Sequence, residues 1–240
     1  MDLQAKVAVV TGASSGIGEA IARKLSACGA SLVLTARRTE RLEALAAELG
    51  TPCIIYPARI DDVDTPRALL ELALEKFGRS DILINNAGMF ASGTVETVDL
   101  DDMSQMIRVN FDAVVRASYL FARHFKSQKS GAIVNISSIG AYLTSPGVGV
   151  YGGLKHALEV FTSALRVELS GTGIKVGTVA PGTTRTEIFD QLRARGQEVR
   201  ADKTSPLDAS DIAEAVHYML IQPERANVAR MLVVSSFESV

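Results

Sequence analysis

Near its N-terminus the chain reads Val7-Ala8-Val9-Val10-Thr11-Gly12-Ala13-Ser14-Ser15-Gly16-Ile17-Gly18, an apolar run that leads into a glycine-rich turn. An amphipathic stretch follows, from residue 16 to residue 29. A strand, a glycine-rich turn and a helix in this order are typical of a dinucleotide-binding unit, because glycine lets the backbone approach a pyrophosphate group at the helix N-terminus. The glycines are spaced as GxxxGxG, whereas the common fingerprint is GxGxxG. The dinucleotide-binding interpretation therefore rests on the position of the turn between a strand and a helix. A glycine-rich turn elsewhere in the sequence would indicate only an ordinary backbone turn.

The same alternation of short apolar runs and longer amphipathic stretches continues to the C-terminus. Most of the apolar runs show no polar alternation, which indicates strands buried on both faces by helices. The sequence therefore predicts an α/β single-domain Rossmann fold over residues 1–240, with a doubly wound, mainly parallel seven-stranded sheet and helices on both faces. The predicted strands are residues 6–11, 31–36, 53–57, 81–85, 131–137, 174–180 and 229–234. The predicted helices are residues 16–29, 39–49, 65–78, 100–127, 151–170 and 209–221.

Composition excludes several other classes of protein. The chain has 240 residues, a formal net charge of −2, 47% hydrophobic and 22% charged residues, which is typical of a globular protein and gives no reason to expect a nucleic-acid partner. Cys28 and Cys53 do not have the spacing of a zinc site, and no second ligand accompanies His124, His156 or His217, so we predict no metal. No apolar run of about 18 residues and no signal-peptide core occur, which predicts no membrane association and a cytoplasmic location.

The second predicted strand ends at Ala36 and is followed by Arg37 and Arg38. A site selective for NAD usually carries Asp or Glu at this point, where the carboxylate holds the ribose 2′-hydroxyl group. A carboxylate would repel the 2′-phosphate group of NADP, whereas a guanidinium group offers it paired, charge-assisted hydrogen bonds. The sequence therefore favours NADP(H) as the cofactor. The alternative is that both arginines lie on a solvated turn and pair with Glu40 or Glu43.

Tyr151 and Lys155 are four residues apart at the start of a predicted helix, which places both side chains on one face. An ammonium group nearby favours the phenolate form and should lower the pKa of Tyr151, so that proton exchange with an alcohol or carbonyl oxygen becomes feasible. Ser138 follows the fifth predicted strand, at the carboxyl edge where open α/β sheets bind ligands. Its hydroxyl group could hydrogen-bond a substrate oxygen. A lone Tyr-x-x-x-Lys pattern is common on protein surfaces, so this constellation needs independent support.

Motifs along the whole chain supply that support, and with them the sequence resembles the short-chain dehydrogenase/reductase family. Residues 11–18 match its TGxxxGxG motif, residues 85–88 match NNAG, and Pro181-Gly182 matches the PG that follows the sixth strand. Ser138 with the Tyr-x-x-x-Lys pair of residues 151–155 matches the family's serine and YxxxK. The resemblance implies an NADP(H)-dependent oxidoreductase that transfers a hydride between nicotinamide and a small aldehyde, ketone or hydroxy acid.

The resemblance also assigns roles to single residues. Tyr151 would be the general acid or base, and Lys155 would lower its pKa and hold the nicotinamide ribose. Ser138 would orient the carbonyl group; the plainer interpretation is a hydroxyl group that caps the backbone at a strand end. Asn110 would position a proton-relay water, or merely mark a helix kink or an internal hydrogen bond. The residues predicted to bind the cofactor, from their own chemistry or from the resemblance, are Gly12, Ser14, Ser15, Gly16, Ile17, Gly18, Arg37, Arg38, Asn86, Ala87, Gly88, Tyr151, Lys155, Pro181, Gly182, Thr183 and Thr186.

Two positions depart from the family's pattern. Where many members have an Asp-Val pair that contacts the adenine ring, this chain has Arg59-Ile60. Asp61 or Asp62 could substitute, and Arg59 could be an exposed loop charge. Between the predicted tyrosine and lysine stand Gly152-Gly153, where relatives have small residues such as Ala and Ser. Because glycine weakens a helix interior, the pair indicates close packing, cofactor approach or a looser helix start.

The substrate pocket is expected to lie between segments that follow strand ends. Residues 89–90, 139–144 and 188–189 should wall it. Residues 186–206 should form a mobile substrate lid, and the alternative for this segment is a solvated helix. Residues 222–228 lack the glycine-rich ending typical of fatty-acid 3-oxoacyl reductases, so reduction of 3-oxoacyl thioesters is the alternative activity. A non-catalytic NADP-sensing protein is a further alternative, although such proteins typically lose the tyrosine or the lysine.

A homodimer or homotetramer is expected from the family resemblance alone. The contacts would form through the long helices predicted at residues 100–127 and 151–170. A small-molecule carbonyl or alcohol substrate is the other expected partner.

Overall fold

In the computed structural model, the described residues are 2–187, 189–190 and 205–238. They form a seven-stranded sheet in which every neighbouring pair of strands is parallel, in the order β3-β2-β1-β4-β5-β6-β7. The strands are β1 (Val7–Thr11), β2 (Ser31–Ala36), β3 (Cys53–Pro57), β4 (Ile82–Asn85), β5 (Gly131–Ile136), β6 (Ile174–Pro181) and β7 (Arg230–Val233). The predicted fold class is confirmed, and each predicted strand lies within a residue of its position in the structure.

The helices cover both faces of this sheet. They are α1 (Gly16–Ala27), α2 (Thr39–Glu48), α3 (Thr65–Phe77), α4 (Leu100–Ile107), α5 (Ala113–Gln128), α6 (Gly149–Glu168) and α7 (Ala209–Ile221). Within the described ranges, no helix is both long and apolar enough to cross a membrane.

Two apolar layers hold the helices to the sheet. Ala8 and Val10 of β1 face one layer, which includes side chains of α1, α2 and α7. Val7 and Val9 face the other layer, with side chains of α3, α5 and α6. Because successive residues of a strand point to opposite faces, an apolar run without alternation is what a strand covered on both sides requires. β1 is thereby buried throughout.

The order of the strands reverses between β1 and β4. The chain goes from β1 outward to β2 and β3, and then returns to pair β4 with the other side of β1. At such a reversal, the loops at the carboxyl ends of the two strands turn in opposite directions and leave a crevice, which is where open α/β sheets bind ligands. Both the glycine-rich turn after β1 and Asn86–Gly88 after β4 border this crevice.

The long helix predicted over residues 100–127 is in fact two helices separated by a π-helical turn, Arg108–Asp112. Asn110 lies in this turn and is 1% exposed. Its Oδ1 atom accepts from Met89 N at 2.9 Å, and its Nδ2 atom donates to Met89 O at 2.7 Å. A π turn adds a residue to the helical repeat, which here lets the amide reach the backbone after β4. The apolar periodicity of the sequence gives no sign of this insertion.

The predicted lid, residues 186–206, falls mainly outside the described residues. The structure describes residues 186–187, 189–190 and 205–206 of it, so residue 188, expected in the pocket wall, also lies outside the description.

Candidate active site

In the glycine-rich turn between β1 and α1, the lack of side chains at two glycines lets the backbone pack closely on itself and on the segment after β4. Gly12 has a φ of +68°, and a Cβ atom there would lie 2.8 Å from Ala87 Cα. A Cβ atom at Gly18 would overlap the carbonyl oxygen of Gly12. Ser15, the N-cap of α1, makes no capping hydrogen bond with its side chain, which leaves N–H groups of the first turn to a ligand. These features fit a dinucleotide pyrophosphate. The other residues predicted here, Ser14, Gly16 and Ile17, lie in the same turn.

Asn86, which follows β4, forms hydrogen bonds with the glycine-rich turn. Its Nδ2 atom donates to Thr11 O at 2.9 Å and to Gly12 O at 3.2 Å. The backbone N–H groups of Asn86 and Ala87 both donate to Thr11 Oγ1 at 3.0 Å. The NNAG segment and the glycine-rich turn therefore form one hydrogen-bonded unit. Contact of Asn86–Gly88 with the cofactor ribose stays a prediction.

The structure separates the two arginines that follow β2. Arg38 Nη2 donates to Ser15 Oγ at 2.7 Å and to Ser14 Oγ at 3.1 Å, which brings the guanidinium group to the rim of the glycine-rich turn. Its Nη1 atom forms an ion pair with Glu187 Oε2 at 2.7 Å. Arg37 is exposed and makes no hydrogen bond or ion pair with any residue of the described ranges. Of the two arginines, Arg38 is therefore the one that contacts the glycine-rich turn, and its anionic partner is neither of the glutamates that the solvated-turn alternative proposed.

Ser138, Tyr151 and Lys155 meet at the carboxyl end of β5. Ser138 Oγ accepts a hydrogen bond from Gly140 N at 3.1 Å and shares a hydrogen bond with the Tyr151 phenol group. Lys155 Nζ lies 5.8 Å from the centre of the Tyr151 ring and donates to Ile136 O at 2.8 Å. Ser138 thus caps the backbone, as in its plainer interpretation, and contacts the tyrosine as well.

The charges at this cluster follow from burial. Burial raises the pKa of Tyr151, and the hydrogen bond with Ser138 only partly opposes this. The direction is opposite to the depression expected from the lysine, because removal of the phenol from water outweighs an amine that lies over the ring. Burial likewise lowers the pKa of Lys155 to about 8, against the opposing charge of Glu159. At neutral pH the cluster therefore holds a neutral phenol and a mainly charged amine.

Glu159 is a residue of this site that sequence reasoning missed. It lies one helical turn after Lys155 and is 2% exposed. Its Oε2 atom accepts from Thr178 Oγ1 at 2.8 Å and from Arg230 Nε at 3.0 Å. The signal was present in the spacing, since residues four apart share a helix face. A glutamate in a helix is usually exposed, however, and only the packing of α6 against β6 buries this one.

The loop after β6 is held in place by the C-terminal segment. Glu238 is buried and accepts from Thr183 N at 3.0 Å and from Thr183 Oγ1 at 2.7 Å. The Thr183 hydroxyl group, predicted to face the cofactor, is therefore engaged by a carboxylate of this chain. Thr186 lies against the glycine-rich turn, with its Cγ2 atom 3.1 Å from the position of a Cβ atom at Gly16. No feature of the sequence marks Glu238 as a partner of this loop.

The glycine pair in α6 has two different explanations. A Cβ atom at Gly152 would lie 2.8 Å from Gly140 O, so that glycine serves close packing of α6 on the loop after β5. Gly153 has no atom within 4 Å of its Cβ position, so packing does not require a glycine there.

Of the residues predicted to wall the substrate pocket, Phe90 packs edge-on against Tyr151, with ring centres 4.9 Å apart. Tyr142 is 40% exposed, and burial raises its pKa to about 12.

The candidates for the adenine contact already have partners. Asp61 Oδ2 accepts from Arg59 Nη2 at 2.8 Å and from Gln105 Nε2 at 2.8 Å. Asp62 Oδ1 accepts from Asp64 N at 3.1 Å. Arg59 is exposed, as in the loop-charge alternative. An adenine contact at Asp61 or Asp62 stays a prediction.

Within residues 2–187, 189–190 and 205–238, no three or more His, Cys, Asp or Glu side chains are grouped so that they could hold a metal ion. The Asn110 amide is occupied by the Met89 backbone, which matches the internal-bond interpretation, and its role toward a relay water stays a prediction.

A cavity of about 710 Å³ lies between the glycine-rich turn and the segment after β6. Ser15 and Gly16 line one side, and Thr186, Glu187 and Phe189 line the other. The glycine-rich turn and the segment that follows β6 thus line one groove.

Comparison with known proteins gives concordant matches. A family profile described as short chain dehydrogenase matches residues 6–197. The chain is 37% identical over 236 residues to sulfoacetaldehyde reductase 2 of Chromohalobacter salexigens, and the match covers 95% of this chain and 93% of that protein. The closed form of serine dehydrogenase complexed with NADP⁺ is 28% identical with a TM-score of 0.90, covering 98% of this chain and 96% of that one. An alcohol dehydrogenase from the archaeon Thermococcus sibiricus, complexed with 5-hydroxy-NADP, is 28% identical with a TM-score of 0.86 and covers 98% of each chain.

Proposed function

This chain belongs to the short-chain dehydrogenase family, and we propose that it is an NADP(H)-dependent oxidoreductase acting on a small carbonyl or alcohol substrate. One observation carries the proposal. The Tyr151 phenol group shares a hydrogen bond with Ser138 beside the buried Lys155 amine, at the same sheet edge as the glycine-rich turn. A proton donor and a phosphate-binding turn on one edge are what coupled hydride and proton transfer requires.

The residues present fit a nicotinamide dinucleotide phosphate. The glycine-rich turn would hold the pyrophosphate, and Arg38 with Ser14 and Ser15 would hold the 2′-phosphate group. When bound, the cofactor supplies or accepts the hydride. The serine dehydrogenase bound to NADP⁺ and the archaeal alcohol dehydrogenase bound to 5-hydroxy-NADP support this choice by their similarity to the chain.

The chain's own residues would handle the proton at the substrate oxygen. Ser138 Oγ accepts a hydrogen bond from Gly140 N, and its own hydroxyl proton would be donated to the carbonyl oxygen of the substrate. Tyr151 would give its proton to that oxygen during reduction and take it back during oxidation. Since burial raises the pKa of Tyr151, the phenol keeps its proton at neutral pH, which suits the reductive direction. The charge on Lys155 would stabilise the phenolate that forms when the proton leaves.

A small substrate is the best supported class. Sulfoacetaldehyde and serine, after which two relatives are named, are both small and charged. Near Tyr151 the Phe90 ring occupies space on one side of the phenol, which favours a short substrate over a long acyl chain. Reduction of 3-oxoacyl thioesters is the competing activity, and an acetoacetyl thioester in the substrate panel distinguishes it from reduction of small aldehydes and ketones.

The test is a pair of tyrosine variants assayed with NADPH and a panel of carbonyl substrates, followed by nicotinamide absorbance. Tyr151→Phe should abolish turnover, because it removes the proton donor, while NADPH binding measured by fluorescence titration stays within a few fold. Tyr218→Phe removes a hydroxyl group from an exposed tyrosine of α7, outside the predicted pocket wall, and should retain most of the activity. Near-normal turnover by Tyr151→Phe would refute the mechanism. If the parent protein binds NADPH tightly but turns over no substrate of the panel, the NADP-sensing alternative is favoured.

We also propose that residues 1–240 act as one dinucleotide-binding and catalytic domain, in the cytoplasm, as a homodimer or homotetramer. Exposed apolar side chains on the two helices expected at the subunit contact support the assembly. Leu100 and Ile107 of α4 are 73% and 46% exposed, and Val160 and Val167 of α6 are 59% and 61% exposed.

A further inference from the structure

The Glu187 carboxylate forms an ion pair with Arg38, the residue whose guanidinium group would bind the 2′-phosphate group of the cofactor. Glu187 Oε2 lies 2.7 Å from Arg38 Nη1, and its Oε1 atom lies 3.8 Å from Arg41 Nη2. The other nitrogens of Arg38 bond to the hydroxyl groups of Ser14 and Ser15. A carboxylate and a phosphate monoester present similar anionic oxygens to arginine. Glu187 therefore makes the contact that a 2′-phosphate group would make.

The position of Glu187 follows from the path of the chain after β6. From the carboxyl end of that strand the backbone crosses the sheet edge, so that Thr186 lies against Gly16. Glu187 is the next residue and lines the same cavity as Ser15 and Gly16. The carboxylate thus reaches the 2′-phosphate position from the segment that also borders the catalytic edge.

Glu187 is in the charged form that such competition requires. Burial by itself would raise its pKa, but hydrogen bonds with Arg38 and Ser15 and the charges of Arg38 and Arg41 bring the net pKa below its ordinary value. At neutral pH the group is a carboxylate, and a 2′-phosphate group that binds Arg38 has to displace it.

We infer that Glu187 is a specificity-determining residue for the cofactor, because its carboxylate competes with the 2′-phosphate group for Arg38 and does not compete with a 2′-hydroxyl group. The inference rests on the proposed NADP(H) site. NADH can bind while the ion pair between Glu187 and Arg38 remains, whereas NADPH must break it. The ion pair therefore reduces the apparent affinity for the phosphorylated cofactor in proportion to the fraction of molecules in which it is formed.

The size of the effect is set by the exposure of the pair. The Arg38 and Glu187 side chains are 44% and 35% exposed, so solvent weakens their attraction. Removal of the carboxylate should then strengthen binding of a 2′-phosphate ligand about three- to fivefold, which is the upper part of the range for a partly exposed ion pair.

The experiment is calorimetric titration of the full chain with 2′,5′-ADP and with 5′-AMP, which differ in the 2′-phosphate group alone. Glu187→Gln should bind 2′,5′-ADP about three- to fivefold more tightly and 5′-AMP within about twofold of the parent protein. Glu40→Gln is the control: this exposed glutamate lies two residues from Arg38 without an ion pair to it, and its variant should bind both ligands as the parent does. In an Arg38→Ala background the gain from Glu187→Gln should disappear.

The outcomes separate this inference from the proposed function. If the parent protein prefers 2′,5′-ADP and Arg38→Ala removes that preference, the NADP(H) site stands. Equal binding of 2′,5′-ADP by Glu187→Gln and the parent would then overturn the competition alone, as would equal tightening for both ligands. If the parent shows no preference for 2′,5′-ADP, both the NADP(H) site and the competition at Arg38 are refuted.

Discussion

Replacing Arg38 by alanine should reduce the preference for NADPH over NADH, and replacing Arg37 should not. The structure distinguishes the two by contact. Arg38 reaches Ser14 and Ser15 at the rim of the glycine-rich turn, while Arg37 has no partner in the described part of the chain. Both variants remove the same charge from adjacent positions, so the comparison isolates the geometry of the site from the net charge of the protein.

The expected magnitude combines a gain and an offset. A hydrogen bond between charged groups contributes about 1.5 to 3 kcal/mol, which Arg38→Ala loses with NADPH. Binding NADPH to the parent protein also breaks the partly exposed ion pair with Glu187, which offsets about 1 kcal/mol at most. With that full offset, the net loss of about 0.5 to 2 kcal/mol corresponds to about a two- to thirtyfold decrease in kcat/KM for NADPH, at about tenfold per 1.4 kcal/mol. For NADH the change should stay within about twofold, because a 2′-hydroxyl group does not need the guanidinium charge.

Initial rates with limiting cofactor and one saturating carbonyl substrate give both values of kcat/KM. Thermal unfolding of each variant checks that the fold is intact. The reasoning is refuted if Arg37→Ala lowers the NADPH/NADH ratio as much as Arg38→Ala does, or if neither variant changes it.

Two further predictions concern α6. Gly153→Ala should stabilise the protein by about 0.5 to 1 kcal/mol, because alanine favours a helix and no atom lies near the Cβ position of residue 153. Gly152→Ala should destabilise the protein, because its Cβ atom would contact Gly140 O. Thermal unfolding measures both changes in stability, and a change of the same sign in the two variants would contradict this explanation. Because Lys155 has a pKa of about 8 and Glu159 raises it, loss of the amine's charge should reduce kcat/KM above about pH 8, and Glu159→Gln should move this alkaline limb to lower pH. A pH profile of reduction that is identical in Glu159→Gln and the parent protein would show that the carboxylate does not act on the lysine.

Much of the fold could be predicted because its signals are local. A few consecutive residues are enough to recognise each pattern: a buried strand without polar alternation, a helix with apolar residues three and four positions apart, and a glycine at a turn. The interruption of the helix at residues 108–112 was missed for the opposite reason. The Asn110 amide bonds to the backbone at Met89, which is distant in sequence, and the π turn exists where that contact forms.

Some residues of the candidate site could likewise be predicted from the sequence, and others could not. Ser138, Tyr151 and Lys155 could be identified because two of them share a helix face, the third follows a strand, and all three match motifs of the family that the sequence resembles. The partners of this site were not accessible by such reasoning. Glu159 is charged and helical, properties that usually indicate exposure, and Glu238 lies near the C-terminus with no motif around it.

By itself, the amino-acid sequence determined the order of strands and helices, the glycine-rich turn, the catalytic tyrosine and lysine candidates and the absence of an acidic residue after β2. These depend on backbone geometry and residue chemistry over short distances. Tertiary structure alone decided that Arg38 rather than Arg37 faces the turn, and that Glu187 and Glu238 approach the site from other segments. The physical reason is that ion pairs and hydrogen bonds require atoms within a few ångströms of one another. Only the packing of the helices on the sheet brings residues so distant in sequence that close together.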